Sequence, residues 1–228
     1  MNVQFSCLAK NISEISPAIP TFLCFSPRLM SVPNLVLNAQ VVLAGEPLST
    51  AVALLRAGAR KVLLGEAALL DGNAVKQLVS AFGHERVGLH VPVQRQAVHW
   101  SIETESNEDF SVVTPSICEP VWEVLKANGE SSGVRAVAWV TSLIEQGAST
   151  VLLRADINDD TDLNLCAGMV EAAGETLWVA SLANSIPVFA DWVEFGQVRR
   201  LALPFAQYSN RHALVKRSEE QGTPHAIA

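Results

Sequence analysis

The chain has 228 residues, 49% of them hydrophobic and 17% charged, with a net charge of −7. That length suits one large α/β domain or two small ones, and a mean hydropathy of +0.25 predicts a sizeable core and excludes disorder. The acidity excludes nucleic-acid backbone as a main partner, because phosphate binding needs clustered Lys and Arg. Cys7, Cys24, Cys118 and Cys166 form no CxxC pair and no zinc spacing. They read as reduced, mostly buried thiols of a cytoplasmic protein, not as a disulfide scaffold. No apolar run reaches the roughly 18 residues of a membrane span. No basic start followed by a sustained apolar stretch marks a signal peptide.

At the N-terminus, NVQFSCLA and TFLCFS each supply a short strand. Their connections, KNISEISPAIP and PRLMSVPN, are too short for ordinary crossover helices and are punctuated by Pro17, Pro20, Pro27 and Pro33. A regular alternation follows. Val36–Ala44 is a strand; Pro47–Gly58 is a helix with Pro47 near its start. Lys61–Gly65 is a strand. Asn73–Gly83 is a helix with Asn73 at its N-cap and Gly83 at its C-cap, and Arg86–Val93 is the next strand. Gln94–Ser132 is polar and irregular, with a hairpin or excursion in HWSIETESNEDFSVV. Then come helix 133–146, strand Thr150–Asp156, helix Asp162–Ala173, strand Thr176–Leu182, helix Ser185–Gly196 and strand Arg199–Phe205. The charged tail from Ser209 reads as a frayed helix and a flexible end, so residues 1–208 are assigned to one domain and 209–228 to the tail.

Apolar strands alternating with helices indicate a parallel sheet covered by helices. Eight strands make a TIM (β/α)8-type barrel with shortened N-terminal βα units; six would make an open doubly wound sheet. An internal repeat favours the barrel. LLRAGARKVLLG (Leu54–Gly65) matches LIEQGASTVLLR (Leu143–Arg154), with Gly58 and Gly147 at the same helix exit. A weaker third copy, VEFGQVRRLALP, places Gly196 at the joint. Glycine fits the position where the chain leaves a helix at positive φ.

The order and spacing of Thr50–Val91 and Asn128–Asp162, with a short match at SCLAK, resemble the paired (β/α)8 barrels of histidine biosynthesis. These are the phosphoribosyl-formimino carboxamide ribotide isomerase and the cyclase subunit of imidazole glycerol phosphate synthase, and the second segment is more similar to the cyclase. The resemblance implies two phosphate sites on glycine-rich or short loops, and two carboxylates facing each other at the ends of strands 1 and 5. The residues at those places differ. The strand-3 loop has only Gly45, followed by Glu46; the strand-4 loop has Gly65, followed by Glu66. The strand-7 loop has no glycine and offers Asn184 and Ser185, and Pro204 removes a donor after strand 8. A negative charge beside a phosphate position opposes binding. The carboxylate positions read Ala9 and His90.

His90 titrates near neutral pH and is a candidate proton carrier, although a lone strand His is commonly packed and hydrogen-bonded. Asp156, after strand 6, is the second catalytic candidate. Asp156, Asp159, Asp160 and Asp162 have hard oxygen ligands for a cation but lack an EF-hand's Gly and Glu, so N-capping by Asp159 or Asp160 is favoured. Gly45, Glu46, Gly65, Glu66, Asn184 and Ser185 are the candidate ligand-binding residues. Trp122, Trp139, Trp178 and Trp192 read as packing residues, and Trp100 as a possible partner surface. No metal, cofactor, nucleic acid or membrane is expected.

The resulting expectation is a diverged, pseudoenzyme-like barrel that is non-catalytic or acts on a different ligand. Its alternative is a phosphosugar isomerase or cyclase/lyase with altered active-site residues. A phosphorylated sugar or related small molecule is the candidate ligand. A homodimer or protein partner is the third expectation, because short crossovers over the first two strands would leave apolar surface uncovered.

Overall fold

A computed structural model describes residues 2–16, 18–31, 39–96, 102–107, 110–115, 119–182 and 187–216. The strands are β1 (Gln4–Ala9), β2 (Thr21–Cys24), β3 (Ala39–Leu43), β4 (Lys61–Leu64), β5 (Val87–Arg95), β6 (Ile102–Asn107), β7 (Phe110–Pro115), β8 (Trp122–Leu125), β9 (Ser131–Arg135), β10 (Val151–Ala155), β11 (Leu177–Ser181) and β12 (Arg200–Pro204). The helices are α1 (Leu48–Arg56), α2 (Glu66–Leu70), α3 (Ala74–Phe82), α4 (Ala136–Glu145), α5 (Asp160–Ala173), α6 (Phe189–Glu194), α7 (Phe205–Tyr208) and α8 (Arg211–Leu214). Among the described residues, no helix is long and apolar enough to cross a membrane.

Eight strands, β1 to β5 and β10 to β12, pair in parallel and close on themselves through β1–β12 and β5–β10. The fold is therefore the (β/α)8 barrel rather than the open sheet. In the first two units the described residues of the connections form short 3-10 turns, Ile12–Glu14 between β1 and β2 and Pro27–Ser31 between β2 and β3. They still cover the sheet, because Cys7, Ala9 and Leu23 on its outer side are at most 1% exposed. The expected uncovered apolar surface is thus absent over these strands. Ile12, Ile15, Ile19 and Phe25 of these connections pack against the outer core layer.

Strand alternation sorts the core into two layers. Leu8, Phe22, Val42, Leu63, Leu152, Ala180 and Ala202 fill the lumen. Phe22 and Trp178 meet across it edge to face, with ring centroids 5.6 Å apart. The alternate residues, such as Val62, Leu64, Leu89, Val151 and Leu153, pack outward with helix residues Leu54, Leu55, Val75 and Leu78. Trp122 and Trp192 are buried, and Trp139 packs against the outer layer. Trp100 and Cys118 lie outside the described residues.

The irregular stretch contains two hairpins. β6 and β7 pair antiparallel, and β8 pairs with both β5 and β9. β9 takes Gly133–Arg135, so the following helix starts three residues later than expected, at Ala136.

The repeat is physically real at its joints. After α1, the Gly58 amide donates to Leu55 O and the Ala59 amide to Leu54 O; after α4, Gly147 donates to Ile144 O and Ala148 to Leu143 O. Both are Schellman closures with glycine at C′, and Gly58 and Gly147 have φ of 97° and 106°. The third copy differs: the residue at positive φ is Gln197, not Gly196. Gly196 is instead in close quarters, since a Cβ there would lie 2.7 Å from Trp192 O.

A side chain at left-handed φ costs about 1–2 kcal/mol. Gly58→Ala and Gly147→Ala should each lose about that much stability in urea denaturation. Gly147→Ala should lose more, because its Cβ would also meet Val79 Cγ1 at 3.0 Å. Gly168→Ala, in α5 with open space around its Cβ, should be neutral or stabilising. Equal losses at all three would show that the joints carry no special conformational demand.

Candidate active site

The C-terminal strand ends form the barrel mouth, where loops of this fold gather their functional groups. It holds a cavity of about 180 Å³ between Ala44, Gly65, His90, Pro92, Arg154 and Leu182, roofed by Val124–Ala127 and Gly129. The roof is the β8–β9 hairpin. It hangs from β5, whose end pairs antiparallel with β8 through Val93–Val124 and Arg95–Trp122. Lys126 N donates to Glu130 O (2.8 Å) and Gly129 N to Lys126 O (3.0 Å), which closes the turn above the cavity.

His90 and Pro92 both line the cavity, and Pro92 is level with Arg154 while His90 is level with Leu152. The outermost strand-5 side chain at the mouth is therefore Pro92, with His90 one layer deeper. The expected strand-1 position, Ala9, does not face the mouth; it packs in the outer layer with the helix-covered residues. By alternation, Leu8 and Lys10 face the lumen side on that strand.

The two loop glycines accommodate protein rather than leave space for ligand. A Cβ on Gly45 would stand 2.6 Å from Ala127 Cβ of the roof, and one on Gly65 would stand 2.6 Å from Ala44 O and 2.8 Å from Leu43 O. The Glu66 amide, at the start of the five-residue α2, already donates to Ala44 O (2.8 Å). Gly65 and Glu66 line the cavity; Gly45 and Glu46 stand beside it, and Glu46 Oε2 is buried with no hydrogen-bond partner among the described residues. Asn184 and Ser185 lie outside the described residues.

Asp156 follows β10, where its charge acts on Arg154. Asp159 caps α5, accepting from Asp162 N at 2.9 Å, and also receives Arg95 Nη1 at 2.7 and 2.8 Å. The capping reading of RADINDDTD therefore describes Asp159. No group of three or more His, Cys, Asp or Glu among the described residues is arranged to hold a metal.

The charge that matters at the mouth was not singled out from the sequence. Arg154 points inward from β10 and is largely buried, donating to Ser181 O (3.1 Å) and Leu182 O (2.9 Å). It forms no ion pair among the described residues. Burial lowers its pKa, opposed by nearby Cys24 and Asp156. His90 beside it is 4% exposed, and neither ring nitrogen has a hydrogen-bond partner among the described residues. Burial, reinforced by the Arg154 charge, pushes the His90 pKa down to about 3. His90 is thus a neutral imidazole with one donor and one acceptor to offer. Lys126, in the hairpin, also lines the cavity, and its ammonium lies 3.9 Å from Glu130 Oε2. The strand histidine is packed as expected, but the expected hydrogen bond does not come from any of the described residues. Strand parity gave a signal for Arg154: it is the one charged residue in the apolar run TVLLRA.

No family model matches the chain. It is similar to the imidazole glycerol phosphate synthase subunit HisF of Cutibacterium acnes, 27% identical over 174 residues, which is 76% of this chain and 62% of that protein. The same subunit of Methanosphaerula palustris is 29% identical over 150 residues, 63% of this chain and 53% of that protein. That of Frankia casuarinae is 30% identical over 164 residues, 64% and 58% respectively. The chain spans about half to three fifths of the length of these curated relatives. The resemblance to a histidine-biosynthesis barrel therefore stands in both sequence and fold.

Because the folded His90 pKa lies below the ordinary 6.5, the unfolded chain takes up this proton first as pH falls. The stability linked to His90 is full above pH 6.5 and is lost as pH falls from 6.5 toward 3. His90→Gln should remove that part of the acid sensitivity, so melting profiles of the two proteins converge as the medium is acidified. Parallel profiles would show that His90 titrates freely.

Proposed function

We propose that this barrel has left the chemistry of its relatives and binds a small, singly anionic ligand at the mouth. The supporting observation is the set of lumen-facing residues at the strand ends that line the mouth cavity. Among the described residues that line it, Glu66 is the single carboxylate, Ala44, Gly65, Pro92, Arg154 and Leu182 carry none, and burial keeps the His90 imidazole neutral. One lining carboxylate does not make the facing pair that acid–base work on a sugar would use. Charge selection instead rests on Arg154 and Lys126, with His90 giving one directional hydrogen bond to the ligand body. About 180 Å³ is well below the usual ~300–1,000 Å³ of a drug-sized site and close to a ~150 Å³ cavity that holds benzene. A short monocarboxylate fits these limits better than a doubly phosphorylated substrate does.

Complementation tests this reading. The chain should fail to rescue histidine-requiring strains lacking either the isomerase or the cyclase, although it accumulates folded. Growth in either strain would overturn it. A second reading is favoured by one observation, the unpartnered His90 nitrogens at the cavity: an isomerase or cyclase/lyase with displaced groups, in which His90 and Asp156 move protons. Under that reading His90→Ala and Asp156→Ala each abolish turnover. The relatives' name as a synthase subunit supports, in addition, a protein partner for this chain.

A further inference from the structure

At the opposite end of the barrel, the N-terminal strand ends enclose a second cavity of about 300 Å³. Its wall carries three cations, Arg60, Lys61 and Arg86, and one carboxylate, Glu85. Glu85 is exposed and lies 2.9 Å from His84 Nε2. None of the three cations forms an ion pair among the described residues.

Each cation is held in place by neutral partners. Lys61 Nζ donates to Ser149 Oγ (2.9 Å) and Thr150 Oγ1 (2.5 Å), reaching past β5 to the start of β10. Ser149 passes its own proton to Val87 O (3.0 Å). Thr150 Oγ1 accepts from Lys61, which leaves its hydroxyl hydrogen for an incoming acceptor. Arg86 Nη2 donates to Leu55 O (2.8 Å) and Ala59 O (2.7 Å), so its guanidinium is fixed beside the helix exit. Arg60 is exposed at the rim. Burial lowers the Lys61 pKa, and Arg60 lowers it further, against a partial offset from Glu85. A half-buried ammonium hydrogen-bonded only to hydroxyls is an uncompensated charge, which is costly unless a counter-ion completes it.

We infer that this basal cavity is a binding site for a small oxyanion of phosphate or sulfate type. The ion takes the remaining Lys61 N–H and the Thr150 hydroxyl hydrogen, while Arg60 closes on it from the rim. The site is separate from the mouth: Leu63 and Leu152 of the packed lumen lie between Lys61 and Arg154 along β4 and β10.

Inorganic phosphate, titrated at constant ionic strength against chloride, tests the assignment by calorimetry and by melting temperature. Saturable binding with a rise of roughly 2–4 °C is expected. Lys61→Met and Arg60→Ala should each weaken phosphate binding about tenfold or more, and Lys76→Met, at an exposed α3 position outside this cavity, should leave it unchanged. Arg60 is exposed, so its variant remains informative should Lys61→Met fail to fold. Absence of saturable binding, or binding that survives both Lys61→Met and Arg60→Ala, would overturn the site.

Discussion

The parallel pairing of β5 with β10 is the contact on which the mouth depends. Leu89–Val151 and Val91–Leu153 close the barrel between residues more than a whole hairpin excursion apart in sequence. The same strand runs on past that ladder, and its end pairs antiparallel with β8. One strand thus completes the lumen below and suspends a roof above. Because strand pairing fixes register to the residue, the roof turn cannot drift relative to His90, Pro92 and Arg154. Its approach is close enough that a side chain on Gly45 would collide with Ala127.

That geometry changes what the mouth glycines are for. In a phosphate loop, glycine lets a ligand come close to backbone N–H groups. Here the space beside Gly45 is taken by the roof, and the space beside Gly65 by the β3 carbonyls of Leu43 and Ala44. Electrostatics follows from the same enclosure. Arg154 is hydrogen-bonded to carbonyls rather than to a carboxylate, and burial, reinforced by the Arg154 charge, lowers the His90 pKa beside it. An imidazole kept neutral is a hydrogen-bonding group more than a proton carrier at physiological pH. The two ends of the barrel then share one feature, a partly buried cation hydrogen-bonded only to neutral partners among the described residues, and the packed apolar lumen lies between them.

Much of the scaffold was legible in the sequence because it rests on local rules. Continuously apolar runs alternating with helical segments marked the barrel strands, and the Gly58 and Gly147 joints announced the repeat because glycine at both suits a left-handed helix exit. Asp159 showed itself as a helix cap by its place before an apolar-periodic segment. The site was less legible because its groups are joined by tertiary contacts. Nothing local tells that Ala9 faces outward while Leu8 faces inward, since both are small or apolar on a buried strand. Nothing local brings Lys126 over Arg154, or Lys61 to Thr150 across β5. The third repeat misled for a related reason: Gly196 looked like a helix exit, but it answers to crowding by Trp192 O, and Gln197 makes the turn.

The central claim is that the mouth is a small, roofed pocket in which a neutral His90 and a buried Arg154 meet one anionic group. The most direct measurement follows the ring resonances of His90 by NMR while anions of increasing size are added, from short carboxylates to a doubly phosphorylated pentose. Saturable shifts of the His90 signals with the small monoanions, lost in Arg154→Met and absent with the doubly phosphorylated sugar, are the predicted result. Tight binding of the doubly phosphorylated sugar at His90, with the small monoanions without effect, would contradict the account.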